Sequence, residues 1–527
     1  MIDRRDFIKM ASLAGTSALA GFTPFGAMNS KNVRTFSLCT NTTVLNNHPE
    51  FADLIAKSGV TDVWMPVFLN GYWPYSMEDM LNWKAKIEKK GIAVHSLSVP
   101  FGHPSNSLGG DTSFDVSPQN WPRSVDVDGK KYSGTSVHPV VTEENIAVIQ
   151  KAGRAGFKKL FLDDDFRLAR SPGTIGGCFC DEHQQEFTKK YGYTGQDWMQ
   201  LKQDIKNREL SSVLKNLIEY NCDKLTASFR AQQAAAPEVA LGIMVMYLGS
   251  EKAGIRLNDY KGSLFRVGEL MFEDKSFNPV KGKTDELFSA LFHRRFVTPE
   301  MAFSETTAYP ADKLSAINMA AKLHISTIAD IRNTMMMSGL EPFPFTHWET
   351  LAPAMKKAAA IHQKIAGQKL QGPFKHFWGE SSRMVGNDKP FSLFLASGIP
   401  FEITDKPASD GWTFLSDFDA ADVDSGKVKS KGTTFLHGSN PKKKFDRVRF
   451  VAENQQEIFA FKREIIPQLK GVPYVEEDKP VICAWYPESK TVLLWNLSET
   501  KEFFTIKNDG EKRTIQIDGL DAELVYL

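Results

Sequence analysis

Short apolar runs alternate with amphipathic helical patterns from residue 34 onward, and this alternation constrains the fold more than any other feature, because successive parallel strands can be joined only by long crossovers. Arg34 to Leu38, Asp62 to Val67, Ala93 to Ser98 and Lys159 to Asp163 read as strands, with helices near residues 48 to 58, 77 to 89 and 142 to 155 between them. Ala240 to Met246, Val267 to Phe272, Met301 to Ser304 and Asn333 to Met337 complete a set of eight. Eight such strands in about 340 residues predict an α/β fold, a (β/α)₈ TIM barrel spanning residues 31–371. The loop Gly102 to Ser136 and a helical insertion from Thr194 to Ala235 are expected outside its wall.

Around Gly372 the pattern shortens. Pro390 to Ala396, Phe401 to Ile403, Trp412 to Leu415 and Thr433 to Leu436 read as strands before the helix Gln455 to Leu469, which predicts a small α/β domain over 372–475. Residues 476–527 are all strand and turn, from Val481 to Tyr486 through to Glu523 to Leu527, and predict a β-sandwich. A chain of 527 residues is too long for one ordinary domain, so this partition is natural. With 64 basic against 63 acidic residues the formal charge is +1, so nothing favours nucleic acid or an anionic membrane as partner. Aromatics at 11 %, ten Trp among them, suit sugar stacking and equally suit large cores.

The first thirty residues are not fold. Arg4-Arg5 followed by Phe7 and Lys9, a mildly apolar stretch and Ala18-Leu19-Ala20 read as a twin-arginine signal peptide over 1–30, which predicts a periplasmic or secreted protein. No later run of about eighteen apolar residues could span a bilayer.

The chemistry concentrates at two strand ends. Phe161-Leu162 runs into Asp163, Asp164 and Asp165, and Met301-Ala302-Phe303-Ser304 runs into Glu305. Barrel enzymes carry catalytic groups at the C-terminal ends of their strands, so these acids face one mouth. A retaining glycosidase needs one carboxylic acid and one carboxylate about 5 to 5.5 Å apart. Strand-end acids also cap helices or satisfy loop amides, and Asp163 suits a place in the barrel wall. Cys178-x-Cys180-x-x-His183 follows the first acid cluster with zinc-type spacing.

Asp163-Asp164-Asp165-Phe166 with Cys178-Phe179-Cys180-x-x-His183-x-x-x-Phe187 resembles the Asp-Asn-Glu-Tyr and Cys-Tyr-Cys-x-x-Cys-x-x-x-Phe segment of family 42 β-galactosidases, and Phe303-Ser304-Glu305 resembles their nucleophile strand. These enzymes and the related family 164 β-mannosidases carry a barrel, a Rossmann-like trimerisation domain and a β-sandwich, so the resemblance spans nearly the whole chain. It implies Glu305 as nucleophile, Asp165 as acid/base, Asp164 in the place of the preceding Asn, a homotrimer, and no cofactor for the chemistry. Family 42 uses Glu as acid/base, whereas Asp in that role is what family 164 implies. An Asp is one methylene shorter, so either the backbone approaches the sugar more closely or Asp164 takes the role.

The Cys178, Cys180 and His183 cluster resembles the structural zinc loop of some family 42 members, with His138 or His103 as a further ligand; free thiols or a strained Cys178–Cys180 bridge are the alternatives in an oxidising compartment. Cys39, Cys222 and Cys483 are scattered, and a total of five Cys excludes complete intrachain pairing. Asn41, Trp73, Tyr247, Glu273 with Asp274, and His347-Trp348 follow strands one, two, five, six and eight and are candidate sugar contacts. A Trp in such a place is equally a core residue, His347 equally a helix cap, and Arg256 with Asp259 reads as an exposed ion pair. The reading is a retaining exo-β-glycosidase acting on a terminal β-galactoside or β-mannoside of an oligosaccharide or glycoside. A metal-dependent sugar isomerase or epimerase and a non-catalytic carbohydrate-binding barrel are its rivals.

Overall fold

The computed structural model describes residues 34–102, 116–163, 166–246, 248, 250–268, 271–338, 341–429, 434–437 and 445–527. The signal segment, His103, Asp164, Asp165 and Tyr247 lie outside the described residues.

Strands β1 (Thr35–Cys39), β2 (Asp62–Leu69), β3 (Ala93–Val99), β4 (Lys159–Leu162), β5 (Ala240–Met246), β6 (Leu264–Gly268), β7 (Ala302–Thr307) and β8 (Asn333–Met337) form a closed barrel in chain order. All the ladders are parallel, and β8 pairs back onto β1 through Thr35 and Asn333. Each strand packs the barrel interior on one face and the helical ring on the other, which is why the strand sequences are nearly continuous apolar runs. Pro66 lies within β2, where its missing N–H is accommodated by a register shift against β3 between Pro66 and Phe68.

Inside the barrel, Cys39, Trp64, Leu97, Phe161, Leu264, Phe303 and Met335 form a separate cluster. The Phe161 ring lies 4.6 Å from Trp64 and 5.0 Å from Phe303 between centroids, so Phe161→Ala would cost about 3–5 kcal/mol. Serines end the loops that feed the outer helices: Ser76, Ser211 and Ser315 each accept a backbone N–H from the first turn of the helix they precede. Thr194 and Asp197 form a reciprocal capping box.

The expected insertion Thr194 to Ala235 divides in two. The 24-residue helix Ser212–Ala235 packs Leu225 and Phe229 into the main barrel core and lies against the helix Pro139–Arg154, so it is the barrel's own wall helix. Its N-terminal half, with Leu214 and Leu217, meets Phe187, Trp198 and Leu201 of the true insertion, the helices Asp181–Tyr191 and Gly195–Asn207. One long helix whose N-terminal half serves the insertion and whose C-terminal half serves the barrel accounts for the difference.

The second sheet contains β9 (Phe374–Phe377), β10 (Phe401–Thr404), β11 (Trp412–Leu415), β12 (Thr434–His437) and β13 (Arg449–Phe450), all parallel, in the order β10-β9-β11-β12-β13. This is a Rossmann-like arrangement whose strand order reverses between β9 and β11. The strand expected over Pro390 to Ala396 is instead a 3₁₀ turn at Ser392–Ala396, where Ser392, Phe394, Leu395 and Ala396 are all buried; an apolar run without alternation has no open face to present.

Six strands close the chain: β14 (Tyr474–Val475), β15 (Val481–Tyr486), β16 (Thr491–Asn496), β17 (Glu502–Asn508), β18 (Glu511–Ile517) and β19 (Ala522–Tyr526). They form two antiparallel sheets, β14-β17-β18 and β15-β16-β19, around Val475, Cys483, Leu494, Phe504 and Ile517. The outer face of β15 and β16 places Ile482, Leu493 and Trp495 in the main core, and the Tyr486 hydroxyl donates to Ile328 O of the barrel helix Ala316–Ile328 at 3.2 Å. Among the described residues no helix is long and apolar enough to cross a membrane.

Candidate active site and metal cluster

Side chains alternate along a strand, so the interior residues Phe161, Leu264 and Phe303 direct Asp163, Arg266 and Glu305, each two residues on, toward the same interior. Arg266 is fully buried and joins the two acids. It donates to Asp163 Oδ1, and its Nε stands 3.2 Å from Glu305 Oε2. Its Nη1 and Nη2 lie 2.9 Å from Met335 Sδ and Met244 Sδ. Glu305 is 2 % exposed, and its Oε1 accepts from the Thr307 hydroxyl on the same strand.

The Asp163 N–H still pairs with Ser98 O of β3 at 2.8 Å, and its carbonyl accepts from Phe166 N at 2.7 Å. Asp163 therefore faces the barrel interior as an ion-pair partner. A guanidinium without a partner here would carry several kcal/mol of desolvation penalty, which explains why a cation and acids occur together. Asp163, Arg266 and Glu305 form one buried cluster. Cys39 lies beside it, and burial, reinforced by Asp163 and outweighing Arg266, pushes its thiol up to about 12, so it is uncharged at neutral pH. Burial likewise pushes the nearby Tyr75 phenol up to about 12.

Sequence reading missed Arg266 because it began the sixth strand at Val267. The available signal was a single charge inside the apolar run Leu264-Phe265-Arg266-Val267.

The other candidate contacts take varied places. Asn41 is buried and caps the helix Thr42–Asn47 by accepting from Val44 N at 3.0 Å. Trp73 is 38 % exposed, with Lys151 Nζ 3.7 Å from its ring centroid and Phe68 packed at 5.5 Å. Glu273 is half-buried ahead of the short helix Asp274–Phe277, while Asp274 accepts from Ser315 N, Ser315 Oγ and Asn318 Nδ2 at 2.7–3.0 Å. His347 Nε2 donates to Leu314 O at 3.1 Å, and Trp348, 2 % exposed, packs against Phe51. Trp348 is thus a core residue and His347 a loop tie. Arg256 forms ion pairs with Glu219, Asp223 and Asp259 on the outer surface.

Cys178, Cys180, His183 and His138 converge, with one ligand atom from each lying within 4.8 Å of all the others. Two helix starts bring them together: Cys180 precedes Asp181–Tyr191, whose buried face carries His183 and Phe187, and His138 precedes Pro139–Arg154. His183 Nε2 donates to Val137 O at 3.2 Å, which leaves Nδ1, 3.1 Å from Cys180 Sγ, as the inward nitrogen. His138 Nδ1 is held 3.1 Å from Glu182 Oε2, and its buried Nε2 has no protein hydrogen-bond partner. Each imidazole is thereby anchored by one nitrogen and offers the other, the usual arrangement of metal-ligating histidines. A hydrogen bond from Cys178, supported by His183, holds the Cys180 thiol down at about 3. Two sulfurs and two imidazole nitrogens suit tetrahedral zinc.

No family model and no curated protein matches the sequence. Solved structures do match it. The chain has the fold of GH42 β-galactosidases. Gan42B, a GH42 β-galactosidase from G. stearothermophilus, superposes with a TM-score of 0.62 at 11 % identity, covering 94 % of this chain and 98 % of its own. The β-galactosidase from Rahnella sp. R3 gives 0.60 at 11 % identity over 93 % and 98 %. That from Bacillus circulans sp. alkalophilus gives 0.59 at 10 % identity over 93 % and 98 %. The likeness therefore spans all three structural layers of this chain, at an identity that speaks to fold alone.

Proposed function

We propose that this protein is a glycoside hydrolase, a retaining exo-β-glycosidase that removes a terminal β-galactosyl or β-mannosyl residue from an oligosaccharide or glycoside. The observation that carries this reading is Glu305: a carboxylate at the C-terminal end of β7, inside the barrel mouth, with the Arg266 guanidinium 3.2 Å away. A buried cation supplies the counter-charge that an ionised nucleophile needs there. Glu305 would attack the anomeric carbon, and an acid on the loop after β4 would protonate the leaving oxygen and then activate water. Asp165 is assigned that second role, with Asp164 as the alternative.

The Arg266 bridge weighs against the isomerase reading, because a guanidinium ion-paired with both Asp163 and Glu305 repels a divalent cation from those acids. The Cys178, Cys180, His183 and His138 cluster would hold a structural zinc, which supplies cross-linking of two helix starts and no step of the reaction. A homotrimer made through the second domain belongs to the same proposal, and light scattering of the purified protein tests it. The activity itself is tested with a panel of nitrophenyl β-glycosides and the Glu305→Gln variant. Turnover of a β-galactoside or β-mannoside that disappears in the variant is expected. Binding without turnover by the unaltered protein would make it a carbohydrate-binding barrel instead.

A further inference from the structure

Lys252, in the loop after β5, is wholly buried, and its Nζ lies 2.5 Å from Asp388 Oδ1 of the segment that follows β9 in the second domain. The same ammonium donates to Ser382 O and Arg383 O at 3.3 Å. The other oxygen of Asp388 accepts from Gly173 N at 2.7 Å, and Lys252 O accepts from Gly176 N at 2.7 Å. Gly173, Asp388, Lys252 and Gly176 thus form a closed ring of contacts around one buried charge pair. The segment that this ring grips, 166–177, is the loop directly after the acids at the end of β4.

Three observations show how close the grip is. A Cβ on Gly173, whose φ is +74°, would come within 2.6 Å of Asn387 O, so the two backbones touch with no room for a side chain. Arg208, at the end of the insertion helix, donates to Gly173 O at 2.5 Å and to Val385 O and Gly386 O at 2.8 and 2.9 Å, which doubles the joint. Asp388 itself adopts φ +59°, in the left-handed region that Asp enters more readily than most residues, while its carboxylate holds Gly173 N.

In an open parallel sheet, the loops at the C-terminal strand ends beside the point where the strand order reverses ordinarily line a ligand crevice. Here the loop after β9 is at that place. Instead, its Ser382 hydroxyl and Gly379 N–H are taken up by the buried Asp419, at 2.7 and 3.1 Å, and its far end reaches the barrel loops after β4 and β5.

We propose that the Lys252–Asp388 pair is a positioning device, through which the second domain fixes the 166–177 loop and with it the acid/base carboxylate just before that loop. The catalytic part of this inference rests on the glycosidase reading; the grip on the loop does not. Uncoupling the loop should therefore harm proton donation more than attack by Glu305.

The test combines hydrogen exchange with a leaving-group series on the full-length protein. In Asp388→Asn, exchange in peptides covering 166–177 should quicken by roughly tenfold or more while β1 and β2 peptides keep their protection. The kcat/KM of an alkyl glycoside, whose cleavage needs protonation, should fall by about tenfold or more, and the kcat/KM of a dinitrophenyl glycoside of the same sugar, which reports only the steps before the glycosyl-enzyme is hydrolysed, should stay within about twofold. If Asp388→Asn does not fold, the double variant Lys252→Met/Asp388→Leu removes both charges together and still loses the bond to Gly173 N. Unchanged exchange in 166–177 overturns the proposal, as does a loosened loop with equal losses on both leaving groups. If the unaltered protein cleaves no glycoside, the function reading falls, and the exchange result alone decides whether the second domain holds this loop.

Discussion

Arg266 and Glu305 are 3.2 Å apart in the barrel mouth, and the guanidinium has no contact with solvent. The pair is one electrostatic unit with Asp163, so removing the cation leaves two carboxylates facing each other in a buried space. Arg266→Met should destabilise the fold by about 3–5 kcal/mol, read from denaturant unfolding. Arg266→Lys keeps the charge but cannot reach both acids with a planar fork, so it should recover stability more fully than activity. Equal stability of Arg266→Met and the parent would refute the unit.

Glu305→Ala should lower turnover by several orders of magnitude, and azide should restore it with an inverted product, since the small anion enters the vacated face while the acid remains. Product anomer is read by NMR during turnover.

Asp165→Ala should leave attack on activated aryl glycosides intact and slow the hydrolysis of the glycosyl-enzyme, so that azide restores turnover with a retained product. Should Asp164→Ala show this pattern while Asp165→Ala does not, the roles move by one residue.

Stoichiometric zinc in the purified protein is expected from the Cys178, Cys180, His183 and His138 donors. Stripping it should lower the thermal midpoint by several degrees yet leave the initial rate on a nitrophenyl glycoside unchanged at 25 °C, because the donors belong to helix starts and not to the Asp163–Arg266–Glu305 unit. Immediate, reversible loss of activity on chelation would contradict a structural role. Cys180→Ser should reproduce the thermal effect without chelator.

Burial pushes the Lys462 ammonium down to about 8, though it donates to Glu477 O at 2.6 Å. An unfolded Lys stays protonated to about 10.4, so between those values the unfolded chain binds the extra proton and stability from this group rises with pH. Below about 8 the buried charge costs at most ~3 kcal/mol. Lys462→Met removes that penalty and gives up a hydrogen bond of about 1 kcal/mol, for a net gain at pH 7 of ~1–2 kcal/mol. Urea unfolding at pH 7 and pH 9.5 should show the gain shrinking at the higher pH; an unchanged gain would point to packing instead of charge.

Periodicity made the barrel legible, since β5 and β8 occupy the ranges their apolar runs predict and the other strands shift by a few residues. It could not reveal that the two halves of Ser212–Ala235 have different tasks, because a single helix pattern does not say what covers each part of its length. The strand-end acids were visible as residues, but the inward facing of Asp163 and Glu305 came only with the placement of β4 and β7. Arg266 was not, because its meaning depends on β4 and β7 standing beside β6, a relation between segments far apart in sequence. The fourth member of the Cys/His cluster was a choice between two histidines until the helix start at His138 was placed beside Asp181–Tyr191. Trp348 shows the converse case: a strand-loop aromatic whose burial against Phe51 gives it a packing role.

Barrel closure through Thr35 and Asn333 has a consequence for the timing of synthesis. A ribosome adding about 5–20 residues per second leaves β1 with one uncovered edge for roughly 15–60 s before β8 emerges. Throughout that interval the row of free amides and carbonyls along Thr35–Cys39 can pair with any passing strand, including the same segment of a neighbouring nascent chain. Yield in a producing cell should therefore respond to translation rate and holding chaperones more than to the equilibrium stability of the finished barrel.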